Sequence, residues 1–295
     1  MVKKRTKGLI MATLAPIIWG GALSSGRVVS QYLSPVTTGF IRFSIALILL
    51  YPFYRTQIGR LPRLSRREWV LVFLIALFGM VLFNIFLFSS LKTITAIRSS
   101  ILLAFTPIIV IFLCMLLFRQ KVSGGQWTGI ALSVTGAVLT ITGGDIMSVI
   151  ENGLAFGDVT MLLAVLSWAL YSLVIEQATK TLSSFTILIY AGGIGLLLLF
   201  PFTFAEGGWS AVSSLPPVAI FNLLYLGVFA AGLSYIWYFE GIKALGSGTA
   251  SAFLNLEPVA AILIGILFLS ETLTAPLALG AALVIAGLFL TGKNG

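Results

Sequence analysis

Two charged residues stand out inside long apolar segments: Glu257, next to Pro258, and Arg42, beside Phe43. A charge in hydrocarbon costs about 2.5–3.5 kcal/mol on insertion scales, so such residues mark candidate sites. The Glu257 carboxyl can accept a substrate amine, carry a coupling proton, or make a structural hydrogen bond. The Arg42 guanidinium can hold a substrate carboxylate, pair with a carboxylate of the protein, or bond helix carbonyls. Pro107 and Pro258 sit near the centres of their segments. A proline removes its own amide and displaces the carbonyl four residues earlier, which frees the carbonyls of Leu103 and Leu254. Unpaired backbone at that depth persists only inside protein or along a water-filled cavity. The bland alternative is a packing kink satisfied by a neighbour such as Thr106.

Aromatic and amide side chains supply the remaining candidates. Trp19, Trp168, Tyr171, Tyr190, Tyr235, Trp237 and Tyr238 lie within apolar segments rather than at their ends. Phe78, Leu82 and Phe86 share one helical face, as do Ile101 and Phe105. Walls of this kind suit flat or apolar side chains, or planar cations through cation–π contact. Asn84, Asn222 and Asn255 can bond a ligand or tie helices together. Arg98, near a segment end, reads as a solvated mouth residue.

The elements that must position these groups are membrane helices. Of 295 residues, 59% are hydrophobic and 9% charged, whereas soluble domains carry roughly 25% charged residues. Most of the surface must therefore face lipid. Ten helical spans are expected at 9–29, 34–54, 69–91, 96–118, 127–141, 157–175, 184–204, 218–241, 247–269 and 275–290. The basic N-terminal tail with its long apolar stretch reads as the first span, not a signal peptide. The single cysteine, Cys114, excludes an internal disulfide, and the absence of histidine removes the usual metal ligand. No metal, cofactor or nucleotide motif is present, and no basic patch interleaved with aromatics points to nucleic acid.

Charge sets the orientation. Basic residues cluster in the N-terminal tail and in even-numbered loops, including Arg55, Arg60, Arg63, Arg66, Arg67, Arg119 and Lys180. Asp145, Glu151, Glu206 and Glu271 fall in odd-numbered loops. The positive-inside rule then expects both termini in the cytoplasm, which requires an even span count.

The chain also repeats itself. An offset of 149 carries Trp19 onto Trp168 and Pro52–Phe53 onto Pro201–Phe202; an offset of 151 carries Lys92 onto Lys243 and Pro107 onto Pro258. The later offset also carries Gly129 and Gly136 onto Gly280 and Gly287. Two five-span halves, 1–146 and 147–295, are expected. An odd span number inverts the second half, a transporter design with the site at the midplane. The fold class expected is an all-α membrane protein of ten transmembrane helices in two inverted-topology five-helix repeats. The paired glycines predict that the fifth and tenth spans pack together as scaffold.

Pro16–Trp19–Gly20, Arg42–Phe43, Glu257–Pro258, and Glu271 followed by Gly280 and Gly287 resemble the drug/metabolite transporter superfamily in its ten-helix type. The resemblance covers the whole chain and is closest to the bacterial aromatic amino acid exporter group. One departure is Gln120, which stands where the second half has Glu271.

The resemblance implies a secondary exporter in the bacterial inner membrane, not an enzyme, carrying aromatic and other apolar amino acids and related metabolites by alternating access. It is expected to work as a monomer, with a small-molecule substrate and the bilayer as partners. A multidrug cation/proton antiporter is the alternative. An intramembrane enzyme or channel is a second, disfavoured by the lack of a catalytic dyad or continuous polar lining.

Overall fold

A computed structural model describes residues 2–57, 59–119, 123–145, 147, 150–151, 153–245 and 253–293. Among these residues there are helices and no strands. Continuous apolar segments in lipid favour this outcome, because a helix satisfies its own amides and carbonyls within one segment. The passes are α1 (Val2–Val29), α2 (Pro35–Gln57), α3 (Arg66–Leu91), α4 (Ala96–Leu103 and Thr106–Phe118) and α5 (Gly124–Thr142). The second five are α6 (Phe156–Ala178), α7 (Ser184–Ala205), α8 (Pro217–Leu224 through Ser234–Leu245), α9 (Leu256–Leu269) and α10 (Ala275–Lys293). Seven of these are individually long and apolar enough to cross a bilayer. The first six residues expected in the ninth span, 247–252, lie outside the described residues, as does Gln120.

Polar residues mark where helices begin. Ser65 and Glu68 close a capping box on α3, and Ser123 and Gln126 close one on α5. Each pair satisfies amides that the first turn leaves bare.

Contacts between helices follow the repeat. α1 packs on α8 and α9 of the other half, and α6 packs on α3 and α4. α2 meets α7, and α5 meets α10. Each contact thus maps onto itself or onto another when the halves are exchanged, as an inverted pseudo-two-fold requires. The chain is a ten-helix membrane protein in two inverted five-helix repeats.

The α5–α10 contact shows the pseudo-symmetry at atomic detail. A Cβ on Gly136 would lie 2.6 Å from the Gly280 carbonyl oxygen. A Cβ on Gly287, the repeat mate of Gly136, would collide with the carbonyl of Gly129, the mate of Gly280. Backbone meets backbone, so only glycine fits, and close approach replaces the hydrophobic drive that lipid abolishes.

Two ionic ties hold the helix ends on the face opposite the termini. Arg98 donates from Nε to Asp158 Oδ1 at 2.8 Å and from Nη2 to Oδ2 at 2.6 Å, with the Ile141 carbonyl accepting a further bond from Nη2 at 2.5 Å. Asp158 is 1% exposed. Arg98 is therefore not a solvated mouth residue; it joins α4, α5 and α6. Glu271 accepts from the Ala96 and Ile97 amides at 2.7 and 2.9 Å and pairs with Arg27 at 3.3 Å. A carboxylate on bare first-turn amides is favoured by the helix dipole as well. Arg27 in turn donates to the carbonyls of Leu91 and Ile94.

Gly287→Val should overpack the α5–α10 seam and cost about 1–3 kcal/mol. Thermal unfolding of the purified protein in detergent should show a clear fall in Tm. Gly193→Ala, where a Cβ meets nothing within 4 Å, should leave Tm unchanged or slightly raised.

Candidate functional site

The site grows from two departures from α-helical geometry. In α3, residues Ala76–Leu82 are π-helical, and in α8, residues Tyr225–Leu233 are. The segment in α3 leaves with the Phe83 amide donating to the Phe78 carbonyl, and the one in α8 with Ser234 donating to Phe229. Both are five-residue steps. When four-residue bonding resumes at the next amide, one carbonyl is passed over in each helix: Gly79 in α3 and Ala230 in α8. A wide helical turn of this kind is rare and recurs at functional positions.

Side chains take up both carbonyls. Asn84 donates from Nδ2 to the Gly79 and Met80 carbonyls, each at 3.0 Å. Trp19 donates from Nε1 to the Ala230 carbonyl at 2.9 Å. Asn84 has a second task, since its Oδ1 accepts from Arg42 Nη1 at 3.1 Å. The Arg42 guanidinium, 6% exposed, lies 5.2 Å from the Phe43 ring centroid and 5.8 Å from that of Phe88. Its Nε finds no hydrogen-bond partner among the described residues. A buried donor left unmade costs about 1–3 kcal/mol, so this atom is a standing demand for an acceptor.

Aromatic rings surround that demand. Trp19 meets Tyr235 edge-on at 5.3 Å and Tyr238 at 5.5 Å. Trp168 packs against Phe83 at 4.7 Å and Tyr171 at 4.8 Å. The Tyr171 ring lies directly on Gly79, where any Cβ would strike it. Phe43, Tyr171 and Tyr235 belong to one buried cluster, with Trp19, Phe78 and Trp168 packed on it. Tyr235 interacts electrostatically with both Arg42 and Glu257. Glu257 itself sits in the first turn of α9, and its carbonyl faces Gly20 of α1 so closely that a Cβ there would lie 2.6 Å away. A basic residue of the first half and an acidic residue of the second thus both act on one aromatic group.

Several expected residues sit elsewhere. Ile101 packs with Ile97, Ala281 and Val284, facing α10 and not the rings. Its fully buried side chain belongs to the scaffold. Phe105 joins the neighbouring core cluster with Phe83 and Phe88. Leu82 closes the π-helical segment and is half-buried. Tyr190 donates to the Pro62 carbonyl at 2.7 Å and stacks edge-on with Trp69, away from the cluster. Asn222 bonds the Val218 carbonyl of its own helix at 2.8 Å. The side chain of Asn255 lies outside the described residues.

The prolines need a correction. α4 is interrupted at Ala104–Phe105, and Pro107 is the second residue of the new segment Thr106–Phe118. Its ring is exposed. The Leu103 carbonyl is not free: it accepts from Thr106 Oγ1 at 2.6 Å. Pro258 is buried in the first turn of α9, behind a 3₁₀ turn at Phe253–Asn255. Prolines at a helix start forfeit no bond. The available backbone lies instead in the π-helical turns, which no residue pattern announces; Gly79 five residues before Asn84 is the faint signal there was.

A model of the EamA-like transporter family matches residues 6–142 and again residues 155–293. An uncharacterized transporter of Archaeoglobus fulgidus is 26% identical over 286 residues, covering 97% of each chain. The uncharacterized transporter YetK of Bacillus subtilis is 26% identical over 294 residues, 99% of this chain and 88% of its own. One solved crystal structure superposes with a TM-score of 0.66 at 14% identity, covering 97% of this chain and 96% of that one, which speaks to the fold. With the family's repeat matched twice along nearly the whole length, this chain belongs to the EamA-like transporter family and is a membrane transporter, not an enzyme.

Proposed function

We propose that the protein is a secondary exporter of aromatic and other apolar amino acids and related small metabolites, working by alternating access in a bacterial inner membrane. The observation that carries this reading is the buried Arg42 guanidinium, whose Nη1 is held by Asn84 and whose Nε lacks an acceptor. A substrate carboxylate meets that demand with a charge-assisted bond. Glu257, which acts electrostatically on the same Tyr235, supplies a carboxyl for the ammonium group. The rings of Trp19, Trp168, Tyr171 and Tyr235 suit a flat side chain. The two halves, 1–146 and 147–295, act as the units that rock about this site, and one chain carries a complete site, so a monomer suffices.

A second reading, a multidrug cation/proton antiporter, draws on Glu257 as the acidic residue beside the ring cluster. The two readings separate on variants. Liposomes loaded with labelled tryptophan, phenylalanine, methionine or threonine should release label faster than protein-free liposomes. Arg42→Met should raise the half-saturating concentration about ten- to a hundredfold, as expected for one charge-assisted bond. Glu257→Gln should change amino acid release less than about threefold, since a neutral zwitterion needs no coupling proton. Release of a planar cation alone, abolished by Glu257→Gln, would establish the antiporter instead.

The orientation follows from the loop charges, with both termini cytoplasmic. With Cys114 replaced by Ala, an impermeant maleimide on intact cells should label Ser210→Cys but not Arg63→Cys; the reverse pattern would invert the topology.

A further inference from the structure

The two carbonyls passed over by the π-helical turns are repeat mates. The offset of 151 that relates α3 to α8 aligns Phe78 with Phe229, Leu82 with Leu233, Ile85 with Ile236 and Lys92 with Lys243. It carries Gly79 onto Ala230. The tryptophans are mates as well, at the offset of 149 that relates α1 to α6. The Trp19–Ala230 bond therefore has a symmetry mate, a bond from Trp168 Nε1 to the Gly79 carbonyl. That mate is not made here. Asn84 occupies the Gly79 carbonyl, Tyr171 covers its Cα, and Trp168 packs on Phe83, the residue adjoining Asn84.

A carrier of inverted repeats reaches its opposite-facing state when the halves exchange conformations. A bond made in one half and missing in the other is then a marker of state. We infer that Trp19 and Trp168 are alternating latches: Trp19 holds the Ala230 carbonyl in this state, and Trp168 takes the Gly79 carbonyl from Asn84 in the opposite one. This rests on the alternating-access reading above. At bilayer depth the Gly79 carbonyl needs a donor in either state, and Asn84 and Trp168 supply one each, whereas the Ala230 carbonyl, once Trp19 departs, must line the open, water-filled side of the pathway.

The exchange also reaches the substrate. Asn84 positions Arg42 through Oδ1 while its amide nitrogen rests on Gly79 and Met80. When Trp168 displaces it, Arg42 loses the group that aims it. Binding at Arg42 thus favours the Trp19-latched state, and the Trp168-latched state releases the carboxylate. Asn84 is accordingly a positioning residue. The asymmetry has a sequence basis, since the mate of Asn84 is Tyr235, which has no amide to offer Ala230.

The test uses the full-length protein labelled with 5-fluorotryptophan, with ¹⁹F resonances of Trp237 reporting the ratio of the two states. Trp19→Phe and Trp168→Phe each keep a ring and remove the N–H. Trp19→Phe should shift the ratio about fivefold toward the opposite state, and Trp168→Phe about fivefold toward this one, the scale of one net hydrogen bond. The double variant should return to within about twofold of the parent, which general damage to packing would not do. Asn84→Ala should move the ratio in the same direction as Trp19→Phe. Saturating L-phenylalanine should move the parent ratio the other way. Single variants that shift the ratio in one common direction, or not at all, would overturn the latches. If they do so while L-phenylalanine counterflow persists in liposomes, alternating access stands without them; if saturable counterflow is absent, the underlying reading fails too.

Discussion

Backbone at bilayer depth has no water to turn to, and that constraint organises this molecule. Nearly every amide and carbonyl is retired inside a helix. The exceptions fall at matched points of the two halves: the π-helical turns of α3 and α8, and the interruptions before Pro107 and Pro258. At three of these four places a side chain supplies the missing donor. Thr106 serves Leu103, Asn84 serves Gly79, and Trp19 serves Ala230. The first of these is local and closes the account of α4. The other two recruit residues that also face Arg42 and the aromatic cluster, so the repair of the backbone and the construction of the site are one event.

Rigid and movable parts divide along the same line. The α5–α10 seam brings glycine backbone against glycine backbone, which leaves little room to relieve a displacement. The Arg98–Asp158 and Arg27–Glu271 ties fix helix ends on one face. α1 and α6, by contrast, each cross to the other half and bear the tryptophans. A helix that belongs to one repeat but packs in the other must feel any rocking of the halves.

The gross architecture was legible in the residues because it rests on counts and spacings. Few charges meant lipid, and matching prolines, tryptophans and paired glycines meant duplication. The Gly136 and Gly287 seam was legible for the same reason, since small residues seven apart have few other uses in lipid. What stayed hidden depends on partners far along the chain. Arg98 looked solvated because Asp158 lies 60 positions away, and Ile101 looked like cavity wall because nothing in α4 says which of its faces meets α10. The π-helical turns were hidden for a different reason: they differ from the α-helix by one hydrogen-bond step, and no residue type compels that step.

The pattern of matches and mismatches between halves carries the last argument. Scaffold positions are matched: Gly129 with Gly280, Gly136 with Gly287 and Pro107 with Pro258; the two tryptophans of the site, Trp19 and Trp168, are matched as well. Polar positions at the site are not. Arg42 pairs with Ala191, Asn84 with Tyr235, and Glu257 with Thr106. Rocking between two equivalent conformations needs a symmetric frame, because each half must be able to adopt the other's shape. A substrate with one end unlike the other needs an asymmetric lining, because two identical half-sites would bind it in two orientations. A positive group from the first half and a negative group from the second satisfy both demands at once, and they leave the frame free to exchange without the charges ever having to.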